Sequence, residues 1–337
     1  MNMERYSRQL LFSPIQAAGQ KKLADSTALI VGVGALGTVI SNHLVRAGVG
    51  KVRIVDRDYV ELSNLQRQML FDEADVNEAL PKAIAAKRKL EKINSDVVIE
   101  AFIENVSNEN VDRLTDDVDV VLDGTDNFST RFLLNDICFK KNIPFSYGGV
   151  VSSRGMTALF IPNETPCLRC FTKEGSESGQ TCDTVGVIAP AVDMISSMEV
   201  IEVLKYLTGN KQHLRHTLKT VDFWYNQHYD MKFSQADPQC PTCQKKEYPA
   251  IQKKAQNSET VLCGRNTVQI HRNQSWDLAK IDSQLAKIMK TKRTPFLVKA
   301  QMDNEKTFVI FPDGRVLVQG TEDITKARTL YDRYIGS

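Results

Sequence analysis

Four of the seven cysteines form two C-x-x-C pairs, a spacing that can bind a metal ion or form a redox dithiol. The first pair is Cys167 and Cys170, and the second is Cys240 and Cys243. Two pairs together offer four thiolates, which is a complete tetrahedral set for structural zinc. We therefore predict a structural Zn²⁺ site, with a redox dithiol as the alternative. Such an ion would tie the end of its domain to the middle.

A glycine-rich loop has the pattern of a nucleotide-binding turn. Gly32, Gly34 and Gly37 match G-x-G-x-x-G directly after an apolar, β-branched run and at the start of a segment with helical spacing. Glycines there let the backbone approach phosphates at a helix N-terminus, and Asp56, after the next strand, would accept hydrogen bonds from ribose hydroxyls. The loop alone fits ATP, a nicotinamide dinucleotide or a flavin dinucleotide, and a purely structural turn is a further alternative.

Residues 56–68 are crowded with polar and charged side chains. A site for hydride transfer has little use for them. A site for adenylation does, because a carboxylate must attack the α-phosphorus of a tetra-anionic nucleotide, and cations offset the repulsion. Arg67 and Lys82 are the candidate cations. The planar guanidinium of arginine and the compact ammonium of lysine both suit phosphate oxygens. Either residue taken alone is more often a solvated surface charge.

Together these motifs resemble the ThiF/MoeB/HesA family, the bacterial relatives of ubiquitin-activating enzymes. The resemblance covers roughly residues 5–243. The glycine loop is weak evidence by itself, whereas S-N-L-Q-R-Q at residues 63–68 joined to the cysteine pairs is specific. The other motifs that carry the resemblance are R-Y-S-R-Q at residues 5–9, Lys82, D-G-T-D-N at residues 123–127, and Thr181-Cys182 before Gly186-Val187.

The resemblance implies a site for ATP and Mg²⁺. Asp56 would hold the ribose, Asp58 would assist near the phosphates, and Asp126 would bind Mg²⁺. For Asp126 the alternative is an N-cap of the helix that follows, a duty that Asn127 would share. The triphosphate would contact Asn64, Arg67 and Lys82. The full set implied for nucleotide and metal is Gly32, Gly34, Gly37, Asp56, Asp58, Asn64, Arg67, Gln68, Lys82, Asp126 and Asn127.

Two further residues take their roles only from the resemblance. Arg8 would reach the γ-phosphate of the other subunit, so we expect a homodimer in which each site is completed in trans. Cys182 would take the activated carboxylate or carry sulfur, as a thioester or an acyl persulfide. The alternatives are an ordinary surface charge for Arg8 and an inert loop thiol for Cys182. With Arg67, Lys82 and Asp126, these two complete the predicted catalytic set.

The function implied by the resemblance is adenylation of the C-terminal carboxylate of a ubiquitin-like sulfur-carrier protein, ThiS-like or MoaD-like. ATP would be converted to pyrophosphate, and the acyl-adenylate would receive sulfur for thiamin or molybdopterin synthesis. We expect the sulfur to come from a separate protein such as a cysteine desulfurase. The alternatives are a relative that activates a small-molecule or tRNA-borne carboxylate, an NAD-dependent oxidoreductase and a non-catalytic binding subunit.

The alternation of strands and helices predicts the fold that would position these residues. Over roughly the first 150 residues it indicates a parallel, doubly wound, Rossmann-like α/β sheet. Later strands flank a long apolar helix at residues 188–207 and would extend the sheet in a mixed sense. A polar linker is predicted at residues 247–259. We therefore predict an adenylating domain over residues 1–250, tied by zinc in its C-terminal part, and a small α+β domain over residues 260–337.

Composition excludes several classes of protein. The 337 residues are 42% hydrophobic and 25% charged, which is typical of a globular chain rather than a disordered one. The 43 basic and 41 acidic residues leave a net charge of +2, too small for a global field that would recruit nucleic acid or an anionic membrane. No run of about 18 apolar residues is present. We expect a cytoplasmic protein.

Overall fold

The computed structural model of the chain describes residues 3–173, 185–253, 259–262, 266–272, 274–302 and 305–336. The chain forms two units, Met1–Lys254 and Ala255–Ser337. No helix in these ranges has the length and apolar character needed to cross a bilayer.

The first unit contains a mixed sheet. Its strands within the described ranges are β1 (Thr27–Val31), β2 (Lys51–Val55), β3 (Val98–Phe102), β4 (Val120–Asp123), β5 (Phe145–Val151), β6 (Arg154–Phe160), β7 (Thr217–Asp222) and β8 (Gln227–Lys232). Their order is β3-β2-β1-β4-β5-β6-β7-β8. Strands β1 to β5 pair in parallel, and β6, β7 and β8 follow in antiparallel pairs. The predicted Rossmann-like mixed sheet is confirmed.

Helices cover both faces of this sheet. Those described are α1 (Ser7–Leu10), α2 (Gln16–Asp25), α3 (Ala35–Ala47), α4 (Glu73–Glu78), α5 (Lys82–Ile93), α6 (Val111–Leu114), α7 (Phe128–Lys141), α8 (Ala189–Thr208) and α9 (Pro249–Gln252). Helix α7 packs in one apolar cluster with Leu29 and Val31 of β1. Helix α3 contacts β1 near Ile30, whose side chain points to the opposite face because successive strand residues alternate. Short 3₁₀ turns lie at Met3–Tyr6, Leu62–Asn64, Leu168–Cys170 and Lys211–His213.

The second unit is a twisted antiparallel sheet with helices. Its described strands are β9 (Glu259–Leu262), β10 (Thr267–His271), β11 (Lys290–Arg293), β12 (Val298–Gln301), β13 (Thr307–Ile310) and β14 (Arg315–Gln319), in the order β11-β12-β13-β14-β10-β9. Helices α10 (Leu278–Leu285) and α11 (Ile324–Tyr334) share its core with Val268, Phe308 and Val316.

Two elements of the second unit differ from the sequence pattern. The sequence pattern over residues 276–289 indicates one helix, but the observed helix spans only Leu278–Leu285. Asp277 caps its N-terminus by accepting hydrogen bonds from the Ala279 and Lys280 amides. Residues 290–293, K-T-K-R, form an edge strand that has no apolar alternation to predict it. Lysines are common on edge strands because they discourage pairing with other chains.

Candidate functional site

The carboxyl ends of the parallel strands bring most of the predicted residues to one edge of the sheet. The strand order reverses between β1 and β4, and ligands of doubly wound sheets bind at such a switch point. The glycine loop follows β1, and residues 124–127 follow β4. The Gly124 amide donates to the Val31 carbonyl at 2.8 Å, so the two segments lie side by side.

The glycine loop is packed against backbone on one side and open on the other. Gly32 has φ +86°, and a Cβ there would lie 2.6 Å from the Gly124 carbonyl oxygen. A Cβ on Gly37 would lie 1.9 Å from the Gly32 carbonyl oxygen. At Gly34, in contrast, a Cβ would meet only the Gln68 side-chain nitrogen, at 3.8 Å. The open space beside Gly34, at the N-terminus of α3, therefore fits the close approach of phosphates.

Asp56 is buried against this loop. Its Oδ2 accepts the Val33 amide at 2.7 Å, and its Oδ1 accepts the Asp58 amide at 2.7 Å. Burial raises the pKa of Asp56, and the nearby Lys82 ammonium opposes the rise. Each carboxylate oxygen has a second lone pair, so Asp56 can still accept a hydrogen bond from a ribose hydroxyl.

Lys82 is 3% exposed although it carries a charge. Its Nζ lies 3.5 Å from Asp58 Oδ2, and its amide donates to the Asp58 carbonyl at 2.8 Å, where α5 begins. A buried ammonium is costly unless it has partners. Here the partners are carboxylates, and the cation lies at the loop where the sequence predicts phosphate.

The segment between Asp58 and Lys82 supplies two buried amides. Asn64 uses its Oδ1 to accept the Glu61 amide at 3.1 Å, which closes the 3₁₀ turn. Gln68 is 4% exposed, and its Oε1 has no hydrogen-bond partner within the described structure. An unpaired buried acceptor beside the open space at Gly34 fits a ligand that donates, such as a ribose hydroxyl. Arg67 is half-buried and donates to the Ser63 carbonyl at 2.9 Å.

The segment after β4 contains Asp126 and Asn127, for which the sequence left open the roles of Mg²⁺ ligand and helix N-cap. Asn127 Oδ1 accepts the Thr130 amide at 2.9 Å and is the N-cap of α7. Asp126 does not serve as that cap, and it is exposed at the same edge of the sheet. This position suits a ligand of Mg²⁺, which prefers carboxylate oxygen and retains several waters.

A buried ion pair between Asp123 and Arg131, which the sequence analysis did not predict, fixes the backbone after β4. Asp123 Oδ2 accepts Arg131 Nε at 2.8 Å, while Asp123 Oδ1 accepts the amide and hydroxyl of Thr125 at 2.9 and 2.6 Å. Arg131 also donates to the carbonyls of Thr125 and Gly148, at 2.7 and 3.0 Å. Burial raises the pKa of Asp123, and the Arg131 charge opposes the rise. The one sequence signal was an acidic residue at the end of an otherwise apolar strand.

The four paired cysteines meet in space. Within the described residues, the Sγ atoms of Cys167, Cys170, Cys240 and Cys243 all lie within 4.8 Å of one another. Cys167 and Cys240 are 3.5 Å apart, as are Cys170 and Cys243. Tetrahedral zinc with Zn–S bonds of about 2.3 Å requires sulfurs about 3.8 Å apart, so the cluster can hold this ion. Cys182 lies outside the described residues.

Arg8 does not join the other predicted residues. It is exposed on α1, and its neighbour Gln9 donates to the carbonyl of Ala47 at 3.0 Å, where α3 ends. The glycine loop is at the opposite end of α3, which has 13 residues. At 1.5 Å per residue, the two ends are about 18 Å apart, beyond the reach of an arginine side chain in the same chain.

The sequence matches known proteins over most of its length. The pattern of the ThiF family matches residues 6–242. A sulfur carrier protein ThiS adenylyltransferase of Bacillus subtilis is 44% identical over 336 residues, 98% of this chain and 99% of the relative. A molybdopterin-synthase adenylyltransferase of Escherichia coli is 35% identical over 242 residues, 72% of this chain and 96% of the relative.

Solved structures share the fold. A crystal structure of Escherichia coli MccB with ATP has a TM-score of 0.62 and 23% identity, and the match covers 72% of this chain and 75% of that one. The family pattern spans the glycine loop, the charged segment after β2 and the first cysteine pair. This chain therefore belongs to the ThiF family.

Proposed function

We propose that the chain is an adenylyltransferase that uses ATP to activate the C-terminal carboxylate of a ubiquitin-like sulfur-carrier protein. The observation that carries the proposal is the cluster of buried Lys82 and Asp56 with half-buried Asp58 against the glycine loop. A cation held at that place is suited to a polyphosphate. The Bacillus subtilis relative named as a sulfur carrier protein ThiS adenylyltransferase supports this substrate class, and the relative named as a molybdopterin-synthase adenylyltransferase supports the reaction type.

The nucleotide is proposed to lie across the switch point of the sheet. Its phosphates would approach Gly34 and the N-terminus of α3, with Lys82, Arg67 and Asn64 as donors. Its ribose would donate to Asp56 and to the unpaired Gln68 oxygen. Asp126 would hold Mg²⁺, which offsets charge on the phosphates. Zn²⁺ at the four cysteines would have a structural role, because a closed tetrahedral set leaves no position for a substrate.

The reaction follows from these charges. A carboxylate oxygen of the carrier attacks the α-phosphorus, the bond from that phosphorus to the bridging oxygen breaks, and pyrophosphate leaves with its electron pair. No general base is required, because the nucleophile is already ionised at neutral pH. The cations lower the barrier by offsetting negative charge where nucleophile and phosphate meet.

We further propose that the acyl-adenylate receives sulfur from a separate donor protein and releases AMP. Cys182 is the residue of this chain that we propose takes the activated acyl group as a thioester or carries the sulfur as an acyl persulfide. This role rests on the family resemblance. A ThiS-like carrier is favoured over a MoaD-like one, because the relative from Bacillus subtilis that is named a sulfur carrier protein ThiS adenylyltransferase is 44% identical and matches almost the whole of both chains.

The test is exchange of labelled pyrophosphate into ATP, since adenylation is reversible. We expect exchange with a ThiS-like carrier, and weaker or no exchange with a MoaD-like one. The matched control is the same carrier shortened by its last two residues, whose new C-terminal carboxylate is two residues too short to reach the α-phosphorus and should give no exchange. Absence of exchange with both intact carriers would contradict the proposal, as would nicotinamide-dependent oxidation of a substrate.

A further inference from the structure

We propose that Asp136 is a positioning residue of the metal centre, a single buried carboxylate that holds both cysteine pairs in the arrangement that zinc requires. The inference rests on the proposed zinc site and is independent of the proposed adenylation. Asp136 lies in α7, is 0% exposed, and is not a metal ligand itself.

Both oxygens of Asp136 accept hydrogen bonds from the segments that carry the cysteines. Oδ1 accepts Arg169 Nε at 2.8 Å and the Thr242 hydroxyl at 2.6 Å. Oδ2 accepts Arg169 Nη2 at 2.9 Å and the amide of Ala250, in α9, at 2.8 Å. One carboxylate of α7 therefore joins two segments that are far apart in sequence, the turn at residues 167–170 and the stretch at residues 240–250.

Two of these donors, Arg169 and Thr242, lie inside the C-x-x-C pairs. Arg169 lies between Cys167 and Cys170, and Thr242 lies between Cys240 and Cys243. The first pair has a second contact with α7, because the Leu168 amide donates to Asn135 Oδ1 at 2.9 Å. Each pair is thus fixed to α7 by a side chain or amide that belongs to its own turn.

The Arg169 side chain makes two kinds of contact with α7. Its ion pair with Asp136 is bidentate, and its guanidinium lies over the Phe132 ring, 4.5 Å from the centroid. A bidentate pair restricts orientation as well as distance. Because the charges of Arg169 and Asp136 cancel, the contribution of this contact to the metal centre is geometric rather than a change in net charge.

The physical consequence concerns the free energy of zinc binding. Cys167 and Cys240 are 73 residues apart, so joining their turns closes a long loop of chain. If the Asp136 contacts already close this loop, the four cysteines are nearly in place before zinc binds. Without these contacts, a smaller fraction of the protein has its cysteines arranged for zinc, and the apparent affinity for zinc falls by the same factor. Residues that orient metal ligands typically contribute 10–100-fold to metal affinity.

The experiment measures zinc affinity in the full-length protein by competition with a chromogenic chelator. Thr242→Val removes one donor to Asp136 at nearly constant volume, and we expect zinc affinity to fall roughly 10-fold. Asp136→Asn disturbs every contact of the carboxylate, and we expect a loss of roughly 100-fold. The matched control is Thr115→Val, an equally buried threonine whose hydroxyl donates to the Val111 carbonyl at 2.8 Å, within α6. The control should bind zinc like the wild type.

Unfolding of zinc-free and zinc-loaded protein separates positioning from a general structural role. A merely structural contact would lower the stability of both forms equally and leave the affinity unchanged. If Asp136→Asn does not fold, Thr242→Val carries the test alone. Wild-type affinity in Thr242→Val would overturn the proposal. So would a wild-type protein that binds no zinc, and in that case pyrophosphate exchange would still report separately on adenylation.

Discussion

At the scale of single residues, the glycine loop contains two glycines with different reasons for lacking a side chain. A Cβ on Gly37 would collide with the Gly32 carbonyl oxygen at 1.9 Å, whereas a Cβ on Gly34 would meet protein only at 3.8 Å. The first glycine is required by the fold. The second leaves room that the proposed nucleotide would occupy.

Gly34→Ala and Gly37→Ala should therefore fail in different ways. We expect Gly34→Ala to fold with a melting temperature within a few degrees of wild type but to raise KM for ATP at least 10-fold, because the methyl group intrudes where phosphates approach. Gly37→Ala should be destabilised by several kcal/mol, as overpacking against backbone allows little relief. Thermal unfolding and pyrophosphate exchange at varied ATP check both. A Gly34→Ala protein with wild-type KM for ATP would place the phosphates elsewhere.

At the scale of elements, helix α8 places a carboxyl group against the middle of the sheet. Glu199 is 0% exposed, its Oε2 accepts the Ser146 hydroxyl of β5 at 3.2 Å, and its Oε1 has no partner within the described residues. Burial raises the pKa of Glu199 well above its ordinary value of 4.5, and Asp123 adds to the rise. Above pH 4.5, the Glu199 carboxyl therefore retains in the folded protein a proton that it releases in the unfolded chain.

This proton gives a pH dependence with a definite sign. Between pH 4.5 and the raised pKa, the native state binds one proton more than the unfolded state, so Glu199 makes stability fall as pH rises. In Glu199→Gln this slope is absent, and the stability of the variant relative to wild type should increase by up to about 1.4 kcal/mol per pH unit. Urea unfolding at pH 5, 6 and 7 measures the difference.

Ser146→Ala is the matched control for this slope. It removes the hydroxyl that donates to Glu199 but leaves the carboxyl in place. Its stability should be lower than that of wild type by about 1 kcal/mol, with the same dependence on pH. Parallel curves for wild type and Glu199→Gln would mean that Glu199 is ionised in the folded protein.

At the scale of the whole molecule, the position of Arg8 bears on assembly. The N-terminal segment is fixed to the far ends of two helices: Gln9 donates to Ala47 at the end of α3, and Asn94, after α5, donates to the Tyr6 hydroxyl at 2.8 Å. The same chain's glycine loop and Lys82 are at the opposite ends of these helices. A role for Arg8 at the nucleotide therefore requires a second copy of the chain.

Mixing two inactive variants tests this arrangement. Arg8→Ala and Lys82→Ala should each lower pyrophosphate exchange by roughly 100-fold or more, because each removes a charge at the phosphates. Arg8→Ala should leave stability nearly unchanged, since an exposed arginine contributes little to folding. In a homodimer with sites completed in trans, exchange of subunits rebuilds one intact site per mixed dimer and restores part of the activity.

Lys87→Ala, on a more exposed side of α5, is the control and should stay active alone. Subunit exchange itself is checked by tagging one variant and isolating mixed dimers. If isolated mixed dimers remain as inactive as the single variants, Arg8 does not complete the partner's site.

The sequence by itself determined most of the elements and the set of motifs. Apolar runs and the glycine spacing predicted the Rossmann-like mixed sheet, and the resemblance to the ThiF family rested on motifs such as residues 63–68 and the two cysteine pairs, because each signal depends on near neighbours along the chain. Strand β8 at residues 227–232 and strand β11 were not predicted. Both are edge strands whose pairing depends on the backbone of an adjacent strand; every residue of β8 is exposed, and β11 has no apolar alternation.

Only the tertiary structure decided which polar groups meet. It paired Asp123 with Arg131, brought both cysteine turns to Asp136, and placed Arg8 away from its own glycine loop. A buried charge must have a partner, but which partner it finds depends on which helix faces which strand end. That choice is made by contacts between distant segments, about which composition and local periodicity carry no information.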